Sequence, residues 1–225
     1  MKSITFILSF LLLAPNAFAQ SNLFDKFEYR FEIGVWQNSL TYDVGPNSTT
    51  VSGNSQIKFD NRFILPNFQA SAIFPLGKNI ELDINASYLV FGGKKHESSG
   101  YEEFQKIKSI GFGITPSYLI TDKLRLGFIL EDNIIQKAET TINGALVGVD
   151  SSEGVSNATY TYKNTNEYNK HVLRSGLRID YRIGSIVLAG KYSLTLTDLL
   201  DDQYFNDISQ TNHNFGLSIG YRFRK

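Results

Sequence analysis

From Asn214 to Phe223 the chain reads NFGLSIGYRF, in which Phe215, Leu217, Ile219, Tyr221 and Phe223 alternate with Asn214, Gly216, Ser218, Gly220 and Arg222. A strict period of two makes this a strand with two unlike faces. One face is large and apolar. The other carries Gly, Ser, Asn and Arg, which suits a wall that meets lipid on one side and polar groups on the other. The segment predicts a strand of a transmembrane barrel in an outer membrane.

The other end of the chain fits an exported protein. Met1-Lys2 is a short positive start, Ile4 to Leu13 is an apolar run, and Ala17-Phe18-Ala19 is an A-x-A cleavage site. Residues 1–19 are therefore expected to be a cleaved signal peptide, and residues 20–225 a single barrel domain. A membrane-anchoring helix would need roughly 18 apolar residues, and Pro15-Asn16 ends the run short of that. Cys is absent, which excludes lipoprotein anchoring and disulfides. With 42% hydrophobic and 20% charged residues the averages resemble those of a soluble domain, because alternation hides the apolar face at every second position. A net charge of +0 without a basic run argues against nucleic-acid binding. The 12 Tyr and 17 Phe supply what interfacial aromatic girdles require.

About eight strands follow from the same period. The first runs from about Phe27 to Thr41, with Tyr29, Phe31, Ile33 and Val35 opposing Glu28, Arg30, Glu32 and Gly34. In the second, about Ile57 to Leu76, the apolar phase moves from Ile57, Phe59, Phe63 and Leu65 to Phe68, Ala70, Ala72 and Phe74, which predicts a bulge at Pro66. The third sets Ile80 to Val90 against Glu81, Asp83, Asn85 and Ser87. The fourth sets Ile110 to Ile120 against Ser109 to Ser117. The fifth carries Leu124 to Leu130 against Arg125, Gly127 and Glu131 and fades around Gln136 to Thr141. The sixth re-emerges by Val172 with Arg174, Gly176, Arg178, Asp180 and Arg182 on its polar face. The seventh presents Ala189, Lys191, Ser193 and Thr195 on the same side.

Connections alternate between long polar loops (Tyr42 to Gln56, Gly92 to Gln105, Asn143 to Asn157, Asp198 to Thr211) and tight turns at Pro75 to Asn79, Thr121 to Lys123 and Ile183 to Ser185. This predicts an all-β, antiparallel up-and-down transmembrane barrel with short periplasmic turns, long extracellular loops and both termini periplasmic. Tyr29, Tyr118, Tyr181 and Tyr221 fall near the tight-turn end of four strands, as a periplasmic girdle would, while Tyr88 and Tyr192 fall near the outer interface. A soluble lipocalin-like barrel would turn the pattern inside out. The small residues decide against it: Gly34, Gly111, Gly113, Gly127, Gly176, Gly216, Gly220, Ser87, Ser117, Ser193 and Ser218 all lie on the polar face, as a crowded lumen needs.

The inward phase collects Glu28, Glu32, Glu81, Asp83, Glu131 and Asp180 together with Arg30, Arg125, Arg174, Arg178, Arg182, Lys191 and Arg222. Opposite charges in comparable number are expected to pair across a narrow lumen and plug it. The other reading is a narrow water path lined by the same residues.

The signal peptide, the eight-strand meander and the terminal aromatic strand resemble the small outer-membrane barrels of the OmpX and OmpA transmembrane-domain type. Within the last strand, Asn214, Gly216, Ile219, Tyr221 and Phe223 resemble the signal read by the barrel assembly machinery, although Ile219 stands where an aromatic is common and Arg224-Lys225 follows the terminal aromatic. The resemblance implies insertion by that machinery with periplasmic chaperones, and lipopolysaccharide as a neighbour. It implies no cofactor, and family members differ widely in role.

Some barrels that resemble this one modify lipids with Ser and His near the outer leaflet. His171 and Ser175, with Asp132 on the adjacent strand, share an outward phase and form the candidate triad. The lipid A deacylases of that kind place His and Ser two apart, whereas position 173 here is Leu. Asp198, Asp201, Asp202 and Asp207 offer oxygens to a cation, but their spacing matches no calcium loop. His96 stands in a mixed-charge loop tip whose lysines could contact lipopolysaccharide phosphates. The sequence therefore predicts a non-enzymatic barrel with a structural or adhesion-like surface role through its four loops and an unknown loop-binding partner. A narrow channel and a lipid A acyl hydrolase are the alternatives.

Overall fold

In the computed structural model, which describes residues 27–44, 55–96, 102–145, 157–201, 203 and 208–224, the period-two segments pair into one antiparallel sheet closed on itself. Its strands are β1 (Glu28–Val44), β2 (Ser55–Pro75), β3 (Ile80–His96), β4 (Glu102–Leu119), β5 (Leu124–Ala145), β6 (Asn157–Lys163), β7 (His171–Ile183), β8 (Ile186–Thr195) and β9 (Ile208–Arg224). β1 closes the wall against β9, from Glu28 opposite Arg224 to Val44 opposite Ile208. The lower part of β5 pairs with β7 and its upper part with β6, so β6 and β7 form one stave interrupted by residues 164–170. Counted by staves the barrel has eight, as the alternation predicts. The expected signal peptide, residues 1–19, lies outside the described residues.

The tight turns fall where Gly, Pro, Asn and Asp cluster. Between β7 and β8 only Gly184 and Ser185 intervene, and Gly184 adopts a φ of 60°. A two-residue hairpin loop needs positive φ at its first position, which glycine reaches without a Cβ clash.

The wall is inverted relative to a soluble protein. Phe31, Leu217 and Tyr221 are 59%, 59% and 57% exposed, whereas Arg30, Asp83 and Arg178 are exposed by 1%, 0% and 1%. Along β4 and into the turn after it the outward side chains stay apolar from Ile110 to Ile120, which spans roughly 25 Å of height at about 3.3 Å per residue and a tilt of about 40°. That matches the apolar band of a bilayer, and a contiguous belt of this size would not stay in water. Tyr118, Tyr181 and Tyr221 point outward near the tight turns. Tyr29 stacks on Phe223 with ring centroids 5.5 Å apart.

The structure departs from the sequence reading in three places. Pro66 is not bulged: it stands opposite Val35 in unbroken register with β1, and the irregularity lies between Phe59 and Phe63. Pro66 instead sits where pairing to β3 lapses, between Asp60 and Asn67, so its missing N–H interrupts no ladder there. Leu65 and Phe59 are consequently buried inside rather than facing lipid. Secondly, β3 and β4 continue into the charged segment expected as the second loop, and β5 runs on to Ala145 rather than fading, because β6 supplies it with a partner. Thirdly, the inner face is polar only over part of its height, and apolar side chains fill the rest.

Candidate functional site: the filled lumen and the long-loop end

The lumen is built in storeys. From the tight turns up to Arg174 and Glu131, six bases (Arg30, Arg125, Arg174, Arg178, Lys191, Arg222) meet six acids (Glu28, Glu32, Glu81, Asp83, Glu131, Asp180), each paired with at least one opposite charge. Asp180 accepts from Arg178 Nε at 2.6 Å, from Arg125 Nε at 2.8 Å and from Arg30 Nη1 at 3.3 Å. Asp83 bridges Arg30 Nη2 at 2.6 Å and Arg125 Nη1 at 2.8 Å, and Arg125 Nη1 also reaches Glu81 at 3.0 Å. Glu32 accepts from Arg178 Nη2 at 2.6 Å, from Ser218 Oγ at 2.7 Å and from Lys191 Nζ. Arg222 reaches Glu81 Oε1 at 2.6 Å and pairs with Glu28. Strand alternation aims all twelve inward, and the barrel's curvature makes them converge. Arg182 is not among them: at the end of β7 its Nε donates to the Gly184 carbonyl at 2.8 Å on the exposed turn.

Above the charges lies the indole of Trp36. Arg174 and Lys191 approach its ring to 5.4 and 5.9 Å, so the aromatic face caps the charged storey by cation–π contact. Gly216, opposite Trp36, makes room for it: a Cβ there would stand 2.8 Å from indole Cδ2. The glycine read as part of an assembly signal thus has a packing role as well. Two cavities of about 20 and 30 Å³ are found at this level and near the tight turns, each enough for about one water.

The upper storey is an apolar cluster interleaved with buried amides such as Gln105, Gln210 and Asn212. Trp36, Leu40, Phe59, Leu89, Phe91, Ile107, Ile135, Ala138, Tyr168, Val172, Leu199 and Leu200 form one buried cluster. Two segments enter it from the long-loop end. The first is the interruption between β6 and β7, a single 3-10 turn (Thr165–Glu167) followed by Tyr168. The second follows β8 and brings in Leu199 and Leu200. Tyr168 forms a β-bridge with Leu200, its hydroxyl donates to Gln105 Oε1 at 3.4 Å, and Asn169 Nδ2 donates to the carbonyls of Asp198 and Leu200 at 3.1 and 2.6 Å. Tyr168→Ala should remove about 3 kcal/mol of packing and free this strap. Trypsin cleavage after Lys163 or Lys170, followed by mass spectrometry, is then expected to speed up at least about tenfold by local opening. An unchanged cutting rate would refute the fastening role.

The candidate triad comes together only in part. His171 Nδ1 and Asp132 Oδ2 lie 3.0 Å apart on the exposed outer face. Ser175 stands four residues further along β7, about 13 Å away by strand rise, opposite Leu130 and Leu194. A base and its orienter are present without the serine within reach. Of the acidic loop, Asp202 and Asp207 lie outside the described residues. Asp198 Oδ1 accepts from the backbone N–H of Leu200 at 3.0 Å and of Gln210 at 2.8 Å, so it fastens the strap, and Asp201 accepts from the N–H of Gln203. Among the described residues no three metal-ligating side chains converge. The assembly-signal residues alternate as expected, with Ile219, Tyr221 and Phe223 outward and Asn214, Gly216 inward.

No protein-family model matches the chain, and no curated protein matches it. Solved structures of similar shape include the attachment invasion locus protein Ail of Yersinia pestis, at 14% identity over 87% of this chain and 98% of that one, with a TM-score of 0.49. The outer membrane protease OmpT from Escherichia coli is similar at 12% identity, covering 88% and 96%, with a TM-score of 0.42. Neisserial surface protein A follows at 8% identity, 88% and 97%, with a TM-score of 0.39. These neighbours are small outer-membrane barrels, and the likeness concerns the fold.

Proposed function

We propose that this chain is an integral outer-membrane barrel of a Gram-negative cell, exported through a cleaved signal peptide, non-enzymatic, with a plugged lumen and a surface-interaction role carried by its long-loop end. The observation that carries this reading is the continuous filling of the lumen, from neutralised charges through Trp36 to an apolar core. A pore needs a water path, and six positive charges balanced by six negative ones offer an ion neither space nor net attraction. Strands that rise beyond the apolar belt around a core of their own support the other half: such a core gives the long-loop end a rigid base, which lowers the entropy cost of engaging a partner. Lipopolysaccharide is the expected neighbour, with barrel assembly machinery and chaperones acting during biogenesis.

Planar-bilayer recording after refolding, with heat-modifiable gel migration as the check on folding, is expected to give a silent barrel. Stable ion-selective steps would overturn the plug. For the surface role, replacing residues 146–156 with a short Gly/Ser turn should lower adherence of cells displaying the protein. Unchanged adherence of this variant, and of equivalent replacements at 45–54 and 97–101, would overturn it.

A further inference from the structure

Four lysines converge on the outer wall just above the apolar belt. On β4 the apolar belt reaches Ile110, and the next two outward positions are Lys108 and Lys106, with Phe104 beyond them. Register places Lys108 directly opposite Lys137 of β5, and Lys106 opposite Glu139 of β5. On the far side of β5, Lys163 of β6 stands opposite the same Glu139. Lys137 Nζ reaches Glu139 Oε1 at 2.6 Å, and Lys108, Lys137 and Lys163 all act electrostatically on that carboxylate. Three ammonium groups therefore share one acid, with Lys106 standing opposite it in register. Two other outward acids on β4 and β5 are engaged elsewhere: Glu102 with Lys94 at 2.8 Å and Asp132 with His171 at 3.0 Å.

Like charges directly opposite each other in an antiparallel pair are destabilising, so Lys108 against Lys137 is a standing cost that an anion placed between them would remove. Depth identifies the anion. Lys108 lies about 5 Å in height above Ile110, by strand rise and tilt, which is where the hydrocarbon ends and headgroup phosphates begin. Lysine is a strongly hydrated point charge suited to phosphate oxygens. Below the patch, outward Ile110 and Tyr88 continue into the belt, where acyl chains lie.

We propose that Lys106, Lys108, Lys137 and Lys163 form a binding site for the phosphate of an outer-leaflet lipid headgroup, with Glu139 orienting the lysines around it. This rests on the reading that the long-loop end faces the outer leaflet. The test uses the full barrel in phosphatidylcholine nanodiscs doped with bisphosphorylated lipid A or with the same lipid after dephosphorylation, scored by native mass spectrometry of the lipids retained. Wild type should retain the phosphorylated lipid over the dephosphorylated one. K108Q/K137Q/K163Q should lower that preference at least about tenfold, while K78Q/K123Q at the tight turns leaves it unchanged. Equal retention of the two lipids by wild type, or equal preference in the lysine triple variant, would overturn the site. So would loss of retention in K78Q/K123Q alone, or binding of a soluble sulfated polysaccharide by the patch in its place. Failure of the barrel to insert, read separately by heat-modifiable migration, would count against the membrane reading instead.

Discussion

Asp180→Ala is expected to destabilise the barrel by about 3–5 kcal/mol, because it leaves buried cations without their shared carboxylate. Arg30, Arg125 and Arg178 all donate to Asp180, and all are buried in the lumen. Beside Arg125 and Asp180 the lumen leaves only about 30 Å³, room for about one water in place of the carboxylate. The chain's one Trp, Trp36, sits just above the charges, so its fluorescence reports unfolding in denaturant from within the affected region. Asp180→Asn keeps the shape and loses the charge, and should fall between wild type and Ala. Adding Arg178→Leu to Asp180→Ala should recover part of the loss, since removing both partners of a buried pair costs less than removing one. A loss below about 1 kcal/mol for Asp180→Ala would mean that the charges are hydrated and the lumen is wet.

Trp36→Ala should cost a similar amount, about 3–5 kcal/mol, by a different mechanism. The indole joins the charged storey to the apolar one, and its removal opens a void between Gly216 and the cations that rest on its ring. The midpoint of heat-modifiable gel migration measures the loss without needing the fluorophore. Gly216→Val should produce a comparable drop, because its side chain would have to occupy the space the indole fills. If Trp36→Ala left the midpoint unchanged, the indole would not be holding the two storeys together.

The outer wall was legible because lipid contact imposes one rule on every stave, and Phe215 to Phe223 obey it without exception. The charged residues were legible for the same reason, being the odd members of an alternating series. What escaped was the apolar storey, because the reading equated large apolar side chains with lipid. The signal was present at Tyr88-Leu89-Val90-Phe91, where both phases become apolar at once, the mark of a strand covered on both faces. Ile134-Ile135 and Val172-Leu173 carry the same mark. Residues 164–170 gave no such sign, since only Tyr168 is large and aromatic and its burial depends on Leu200 and Gln105, remote in sequence. The lysine patch needed register: nothing local relates Lys108 to Lys137 or Lys163. The separation of His171 from Ser175 was computable from strand rise alone.

Arg30 and Asp180 lie 150 positions apart in the chain, Arg178 and Glu32 146, and Lys191 and Glu32 159. None of these pairs can form while the wall is open between β1 and β9, so a half-built sheet entering the bilayer would carry bare charges on a surface that has no water to offer them. Insertion and closure are thereby tied into one event. Entry hairpin by hairpin would strand these charges in lipid, so pairing of the last strand with the first is expected to accompany insertion rather than follow it.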